Sequence, residues 1–364
     1  MISAPAAARR WTRGFRSSVE VMRIPAAVLL PGLAILLIVA FIAGVGIGAV
    51  RIAPQQVLAI ILHHAGVELD VAYTHQQDSI VWAIRLPRVI TAVLVGSALA
   101  ASGAALQGMF RNPLADPGLI GVSSGAALGA VTSVALGIGW FGVATMSVCA
   151  FLGGMATAVV VYLLARHNGR TEIVTLVLTG IALNTFAGAG TGLLTYVASD
   201  QQIRAVVFWS LGSLGSATWQ GVVVTAPFVL FGLAVLPRWG RALNLFVLGE
   251  REAHHLGLDT ERVRLELIFV TALMTGAAVA VAGVVGFVGL IVPHLIRLVA
   301  GPDHRLLLPA SALGGAALLL IADLVARTIV SPAELPLGVV TALIGGPFLL
   351  VLMLRTRRAQ GGWG

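Results

Sequence analysis

The chain has 364 residues, of which 58% are hydrophobic and only 10% are charged, and its formal net charge is +8. Soluble globular proteins carry roughly 25% charged residues, so this composition excludes a soluble enzyme and predicts a polytopic helical membrane protein. Every basic residue is an arginine. Without a lysine the chain cannot form the phosphate-binding loop of a P-loop ATPase. The arginines are spread over short loops rather than one basic face, which argues against nucleic-acid binding.

The domain organisation follows from the apolar stretches. Residues 1–23 are expected to form a cytoplasmic N-terminal arm, residues 24–355 a single transmembrane domain, and residues 356–364 a cytoplasmic tail. Crossing a bilayer takes roughly 20 apolar residues. The fold is therefore predicted to be all-α, with about ten transmembrane helices near residues 24–50, 84–110, 117–136, 141–165, 172–197, 218–236, 265–289, 291–300, 306–329 and 337–354.

The distribution of arginine predicts the orientation of the chain. If the N-terminal arm is inside, eighteen of the 23 basic residues fall on the cytoplasmic side of the ten spans. Cytoplasmic loops of membrane proteins carry an excess of basic residues. Both termini are therefore expected to be cytoplasmic.

The stretch from residue 85 to 129 joins two segments rich in Gly, Ala and Ser through a proline hinge, residues 111–117. Small residues allow close packing between helices or form the wall of a passage. Irregular backbone at membrane depth is tolerated only where protein or a water-filled cavity covers it. We favour a translocation path, and its lining is predicted to be one face of the first segment, formed by Gly96, Ala100, Gly103 and Gln107.

Three blocks in a fixed order resemble the permease subunits of the iron-chelate, heme and cobalamin ABC importers. They are RLPR with NPLADPG (85–88 and 112–118), LFVLGEREAHHLG (245–257), and GFVGLIVPH with DLVAR and ELPLG (286–294, 323–327 and 334–338). The resemblance covers roughly residues 25–355. It implies the type II ABC importer permease fold in the inner membrane, as a homodimer. Two ATPase subunits would bind inside and a periplasmic binding protein outside, and the permease itself would be neither an enzyme nor a cofactor protein.

The resemblance also implies roles for residues at the outer face. Arg85, Arg88 and Arg327 would contact acidic side chains of the binding protein. Asp323 precedes Arg327 by four residues, the spacing at which an acid and a base meet on one helix face, and is predicted to orient it. The alternative is that these arginines only anchor span ends at the membrane interface.

At the cytoplasmic face, Asn112 and Leu114 would form a gate, unless Asn112 only caps the next helix. The coupling loop, residues 244–264, is expected to form two short amphipathic helices separated by Gly257. By resemblance it inserts into the ATPase; the alternative is a plain solvated loop. No metal site is predicted at His254 and His255, because no third ligand is in view. The coupling residues would be Leu248, Gly249, Glu250, Arg251, Glu252, His255 and Gly257.

Heme is the favoured cargo, because the outer segment 199–215 is more similar to the heme branch of the family. A ferric siderophore and cobalamin are the alternatives. Arg204 in this segment would meet the heme propionates at the entrance, or serve as an interfacial anchor. A second, weaker hypothesis is that heme iron is ligated by His63, His64, Tyr73 and His75. An ion-coupled carrier is disfavoured, since it would need an uncompensated carboxylate near mid-membrane.

Overall fold

The computed structural model describes residues 24–48, 50–167, 170–331 and 333–359, so the predicted N-terminal arm lies outside the described residues. The described elements are α1 (Ala26–Gly46), α2 (Pro54–His64), α3 (His75–Ser79), a π-helix (Ile80–Arg85), α4 (Leu86–Phe110), a 3₁₀-helix (Pro117–Ile120), α5 (Val122–Ala135), a 3₁₀-helix (Gly142–Ala144), α6 (Thr145–Ala165), β1 (Arg166–His167), β2 (Arg170–Thr171), α7 (Ile173–Tyr196), α8 (Asp200–Ser210), α9 (Trp219–Val235), a 3₁₀-helix (Leu236–Trp239), α10 (Gly240–Phe246), α11 (Glu250–His255), α12 (Thr260–Ala282), α13 (Val288–Ala300), α14 (His304–Thr328) and α15 (Leu337–Ala359).

Helix α4 lies at the centre of the bundle and α1 lies at its edge. The Gly/Ala/Ser-rich sequence of α4 lets α9, α12, α13 and α14 pack closely around it. In the helical span that contains α4, 89% of the most apolar segment is buried, whereas in the Leu/Ile-rich α1 the buried share is 17%. A helix that is apolar on all sides and this exposed is suited to lipid contact.

A second group of helices, α5, α6 and α7, packs beside α12. Small residues again set the closest approach, since a Cβ at Gly129 would lie 2.8 Å from the Cys149 carbonyl carbon. On the cytoplasmic side, as the topology predicts it, α6 and α7 are joined by the antiparallel hairpin β1–β2.

The all-α membrane fold is confirmed, with this two-stranded hairpin as a small addition. Among the described residues, seven helices are long and apolar enough to cross a membrane, and three shorter apolar helices lie at 122–135, 288–300 and 337–352. The number of ten spans stays a prediction. The second span begins earlier than expected, because α3, the π-helix and α4 form one continuous helix from residue 75 to 110. Residues 111–116 of the proline hinge are non-helical, as predicted, and a further break separates α12 from α13 at residues 283–287.

Candidate functional site

Five charged residues form an outer arginine cluster where α4 and α14 meet the segment after α14: Arg85, Arg88, Asp323, Arg327 and Glu334. The Nε of Arg88 donates to Asp323 Oδ1 at 3.0 Å, and its Nη1 donates to Glu334 Oε1 at 2.9 Å. The Asp323 side chain is 2% exposed, whereas that of Glu334 is 44% exposed. Arg88 therefore has one buried acidic partner and one exposed acidic partner.

Asp323 also lies 3.5 Å from the Nε of Arg327, the ion pair that the spacing of four residues predicts. The sequence did not indicate the stronger contact, with Arg88, because these two residues are 235 positions apart. The Asp323 carboxylate is thus compensated by two arginines. An ion-coupled carrier would be expected to hold a carboxylate without a paired arginine near mid-membrane, so Asp323 does not favour that class.

Two arginines of the cluster cap the C-terminal end of α1. The last carbonyl groups of a helix lack partners within the helix. Arg85 Nη1 donates to the carbonyls of Val45 at 2.7 Å and Gly46 at 2.9 Å, and Arg327 Nη2 donates to that of Gly44. Docking of Arg85 and Arg327 on a binding protein stays a prediction, and in this conformation both have this structural role.

The small-residue face of α4 packs against neighbouring helices. A Cβ at Gly96 would lie 2.7 Å from the Gly315 carbonyl carbon, and a Cβ at Gly103 would lie 2.6 Å from the Gly289 Cα. Ala100, on the same face, is fully buried. The small residues therefore bring the backbones of α13 and α14 against α4.

Gln107 completes this face and is also buried. Its Nε2 donates to the Gly289 carbonyl at 3.2 Å, and its Oε1 accepts from Arg297 Nη2 at 2.9 Å. Within one chain, Gly96, Ala100, Gly103 and Gln107 therefore face neighbouring helices, and their lining of a translocation path stays a prediction. Sequence spacing identified one face of a helix, but it could not distinguish a wall from a packing surface.

The proline hinge leaves Asn112 and Leu114 exposed. The Asn112 Oδ1 accepts from the Leu114 backbone N–H at 2.9 Å and so closes a local turn. The cap of the following 3₁₀-helix is Asp116, whose Oδ1 accepts from Gly118 N–H at 2.8 Å. Burial raises the pKa of the Asp116 carboxyl, and this hydrogen bond opposes the rise. Asp116, and not Asn112, therefore caps the next helix, so capping does not account for Asn112.

The coupling loop contains the end of α10, the short helix α11 and the first residues of α12. Gly257 lies between α11 and α12, as the sequence suggested, but α12 is a long helix and Gly249 marks a further break before α11. Gly249 has φ 122° and Gly257 has φ 85°, conformations that favour glycine. Helix α12 begins at Thr260 because the Asp259 side chain caps it, accepting from the Arg262 N–H at 3.1 Å.

The exposed surface of the coupling loop combines apolar and charged side chains. Leu248 and Leu256 are 60% and 62% exposed. Their exposed polar neighbours are Arg251, Glu252 and His255. Large exposed apolar residues within a charged rim are typical of a protein interaction surface.

Helix α10 is held to the start of α14 by a polar contact. Asn244 Nδ2 donates to Asp303 Oδ1 at 2.7 Å, and Asn244 Oδ1 accepts from the His304 N–H at 2.9 Å. The Arg305 guanidinium beside Asp303 holds the pKa of that carboxyl well below its usual range. The start of the coupling loop is therefore fixed to the bundle.

Sequence reasoning missed the residue that holds the rest of this loop, Arg264, whose side chain is 2% exposed. Its Nη1 donates to the Thr171 carbonyl at 2.6 Å and to Glu261 Oε2 at 3.0 Å, and its Nη2 contacts the Glu250 carboxylate. Glu261 in turn accepts from the Thr171 N–H at 2.9 Å. These four residues are the Arg264 cluster. Arg264 was counted only as a topology signal, although Glu261 three residues earlier suggested a pair.

The outer segment contains α8, whose N-terminus has a capping box formed by Ser199 and Gln202. Gln202 Nε2 also donates to the Val134 carbonyl at the end of α5, at 2.7 Å. Arg204 is exposed on this helix. Its guanidinium is therefore accessible from outside the bundle.

The four residues weighed as heme ligands in the first outer loop do not converge. His64 Nε2 lies 3.0 Å from Asp78 Oδ1, and its ring stacks on Trp82 with centroids 3.9 Å apart. The His63 and Tyr73 rings are 6.3 Å apart, and His75 lies on α3. Within residues 24–359, as far as the structure describes them, no group of three or more His, Cys, Asp or Glu side chains could hold a metal ion.

A bundle of apolar helices with an exposed, charged connecting loop fits a transport permease. The chain belongs to the FecCD transport family, which it matches over residues 36–355. It is a permease subunit of the ABC importer class, and ATP is hydrolysed by a separate subunit. The family predicted from the three sequence blocks is confirmed.

Two curated relatives cover most of the chain. The hemin transport system permease protein HmuU of Yersinia pestis is 49% identical over 282 residues, which is 77% of this chain and 84% of HmuU. The cobalamin import system permease protein BtuC of Halobacterium salinarum is 48% identical over 282 residues, 77% of this chain and 74% of that protein. A solved metal-chelate type ABC transporter in an inward-facing conformation superimposes with a TM-score of 0.79 at 33% identity, covering 90% of this chain and 98% of that one.

Proposed function

We propose that this permease imports heme as a homodimer, with two ATPase subunits at the cytoplasmic face and a binding protein at the periplasmic face. The observation that carries the proposal is the 49% identity to a hemin permease across the transmembrane domain. The 48% identity to a cobalamin permease makes cobalamin the second candidate, and a ferric siderophore is the third. The membrane is the bacterial inner membrane, with both termini cytoplasmic according to the arginine distribution.

The proposed docking site for the binding protein is the outer arginine cluster. Its accessible part is the ion pair between Arg88 and Glu334. Glu334 is 44% exposed, whereas the Arg88 side chain is 8% exposed, so a carboxylate of the binding protein would reach Arg88 by taking the place of Glu334. Asp323 would keep Arg88 oriented during the exchange, because its own contact with Arg88 is buried.

The proposed ATPase contact is the exposed surface of the coupling loop at Leu248, Arg251, Glu252 and His255. An apolar side chain with charged neighbours can enter a cleft and fix its register. The proline hinge would then act as the cytoplasmic gate. The exposed Leu114 would narrow the exit at the dimer axis.

At the outer face, the exposed Arg204 of α8 is proposed to attract the heme propionates. A guanidinium can bind a carboxylate through two parallel hydrogen bonds. His63, His64, Tyr73 and His75 are not proposed as iron ligands, because His64 already contacts Asp78 and Trp82. Transport in this account involves alternating access and no covalent chemistry in this chain.

The proposal is tested by ATPase assays on the permease reconstituted in proteoliposomes with its cognate ATPase and binding protein. Heme-loaded binding protein should stimulate ATP hydrolysis more than the unloaded protein or one supplied with cobalamin or a ferric siderophore. Stimulation by cobalamin or siderophore alone would keep the importer assembly and reject heme as the cargo.

A further inference from the structure

The Arg264 cluster joins three elements that are distant in sequence. Thr171 ends the hairpin β1–β2, Glu250 begins α11, and Glu261 and Arg264 lie in the first turns of α12. The Arg264 side chain is almost completely buried and donates to all three partners. A guanidinium can do this because its planar group carries five N–H donors in fixed directions.

Helix α11 has few other attachments to the bundle. It has six residues, and Ala253 is the one among them that is buried. Among the described residues, its side-chain polar contact to the bundle is the ion pair between Glu250 and Arg264. The position of α11 relative to the bundle therefore depends strongly on this pair.

The other end of the cluster holds the hairpin between α6 and α7. The hairpin follows α6 directly, and α7 begins two residues after it, at Ile173. Thr171 is buried, and Glu261 accepts from both its N–H and its hydroxyl. A displacement of this cluster must therefore move the cytoplasmic ends of α6 and α7.

We infer that Arg264 is a positioning residue that connects the coupling helix α11 to the hairpin between α6 and α7. When the ATPase subunit moves α11, the Arg264 cluster transmits that movement to the second helix group. The inference rests on the proposed role of the coupling loop as the ATPase contact, and it assigns the half-exposed Glu250 the contact with Arg264. The exposed residues of α11 bind the ATPase, and Glu250 links α11 to the bundle.

The structure offers a variant that breaks the link without leaving a buried charge unpaired. Glu250→Gln removes the α11 carboxylate that contacts Arg264, while Glu261 still pairs with Arg264 at 3.0 Å. A second variant, Arg264→Lys, keeps the positive charge beside Glu261 but cannot reach all three acceptors. The matched control is Glu266→Gln, which breaks the exposed pair with Arg262 on the same helix.

The first readout is the number of heme molecules taken up per ATP hydrolysed in proteoliposomes. We expect this ratio to fall about tenfold in Glu250→Gln and in Arg264→Lys, the factor that corresponds to ~1.4 kcal/mol. Glu266→Gln should match the wild type. An unchanged ratio in both test variants would overturn the inference. Absence of ATP-driven heme uptake by the wild type would instead contradict the proposed function.

The second readout needs no cargo and measures position. The chain has one cysteine, Cys149, so a Cys149→Ser background allows spin labels at His167→Cys in β1 and His254→Cys in α11. The distance distribution between the labels should be narrow in this background, and should broaden when Glu250→Gln is added. A purely stabilising role for Arg264 predicts a lower melting temperature with an unchanged distribution. That result would also overturn the inference.

Discussion

Replacing Gly103 by alanine tests whether the small residues of α4 pack helices or line a passage. The new Cβ would lie 2.6 Å from the Gly289 Cα and even closer to the Gly289 carbonyl group. These are backbone atoms at the start of α13, so a side-chain rotation cannot relieve the contact. Overpacking of this kind costs typically 1–3 kcal/mol, and alanine regains about 1 kcal/mol of helix propensity. Because the contact is with backbone atoms, we expect a cost at the upper end of this range and a net loss of about 2 kcal/mol.

The assay is the melting temperature of the purified permease in lipid nanodiscs. Since ~1 kcal/mol shifts the midpoint by about 2–4 °C in larger domains, Gly103→Ala should melt at least about 2 °C below the wild type. The control is Gly32→Ala in α1, where no atom lies within 4 Å of the new Cβ, and its melting temperature should be unchanged or slightly higher. Wild-type stability of Gly103→Ala together with reduced uptake would refute the packing role and restore a path-lining one.

Three further variants test other parts of the account. Asp323→Asn leaves two buried arginines without their shared carboxylate and should cost about 3–5 kcal/mol, seen as a lower melting temperature; a wild-type value would contradict its compensating role. Glu334→Gln frees Arg88 and should tighten binding-protein affinity about two- to fivefold in a titration, the equivalent of ~0.4–1 kcal/mol; weaker binding would argue against the exchange. Leu248→Glu should reduce copurification of the ATPase about tenfold without lowering the melting temperature, whereas Val143→Glu, at a more exposed apolar position in the 3₁₀-helix before α6, should copurify normally.

Composition and apolar segment length predicted the membrane fold well, because each span must satisfy its own backbone in lipid. The proline hinge was also predictable, since its prolines and polar residues break both neighbouring helices. The sequence did not reveal that α3 and α4 are continuous. A polar first turn followed by a π-helix does not produce a regular apolar pattern.

The roles of individual charged residues were harder to predict. Arg88 and Asp323 are 235 positions apart, and Arg85 caps carbonyl groups about 40 positions away, so no local spacing indicates either contact. Local spacing succeeded only for Asp323 with Arg327 on one helix. For Arg264, local spacing indicates only the pair with Glu261, and its link to Thr171 spans 93 positions.

The central claim is that this permease imports heme with energy from a separate ATPase. The most direct test is accumulation of heme inside proteoliposomes that contain the permease and its ATPase, with ATP enclosed and heme-loaded binding protein outside. The account predicts accumulation that requires hydrolysable ATP and binding protein, with little uptake of cobalamin or ferric siderophore. Heme accumulation without ATP hydrolysis, or ATP-driven uptake of cobalamin in place of heme, would contradict it.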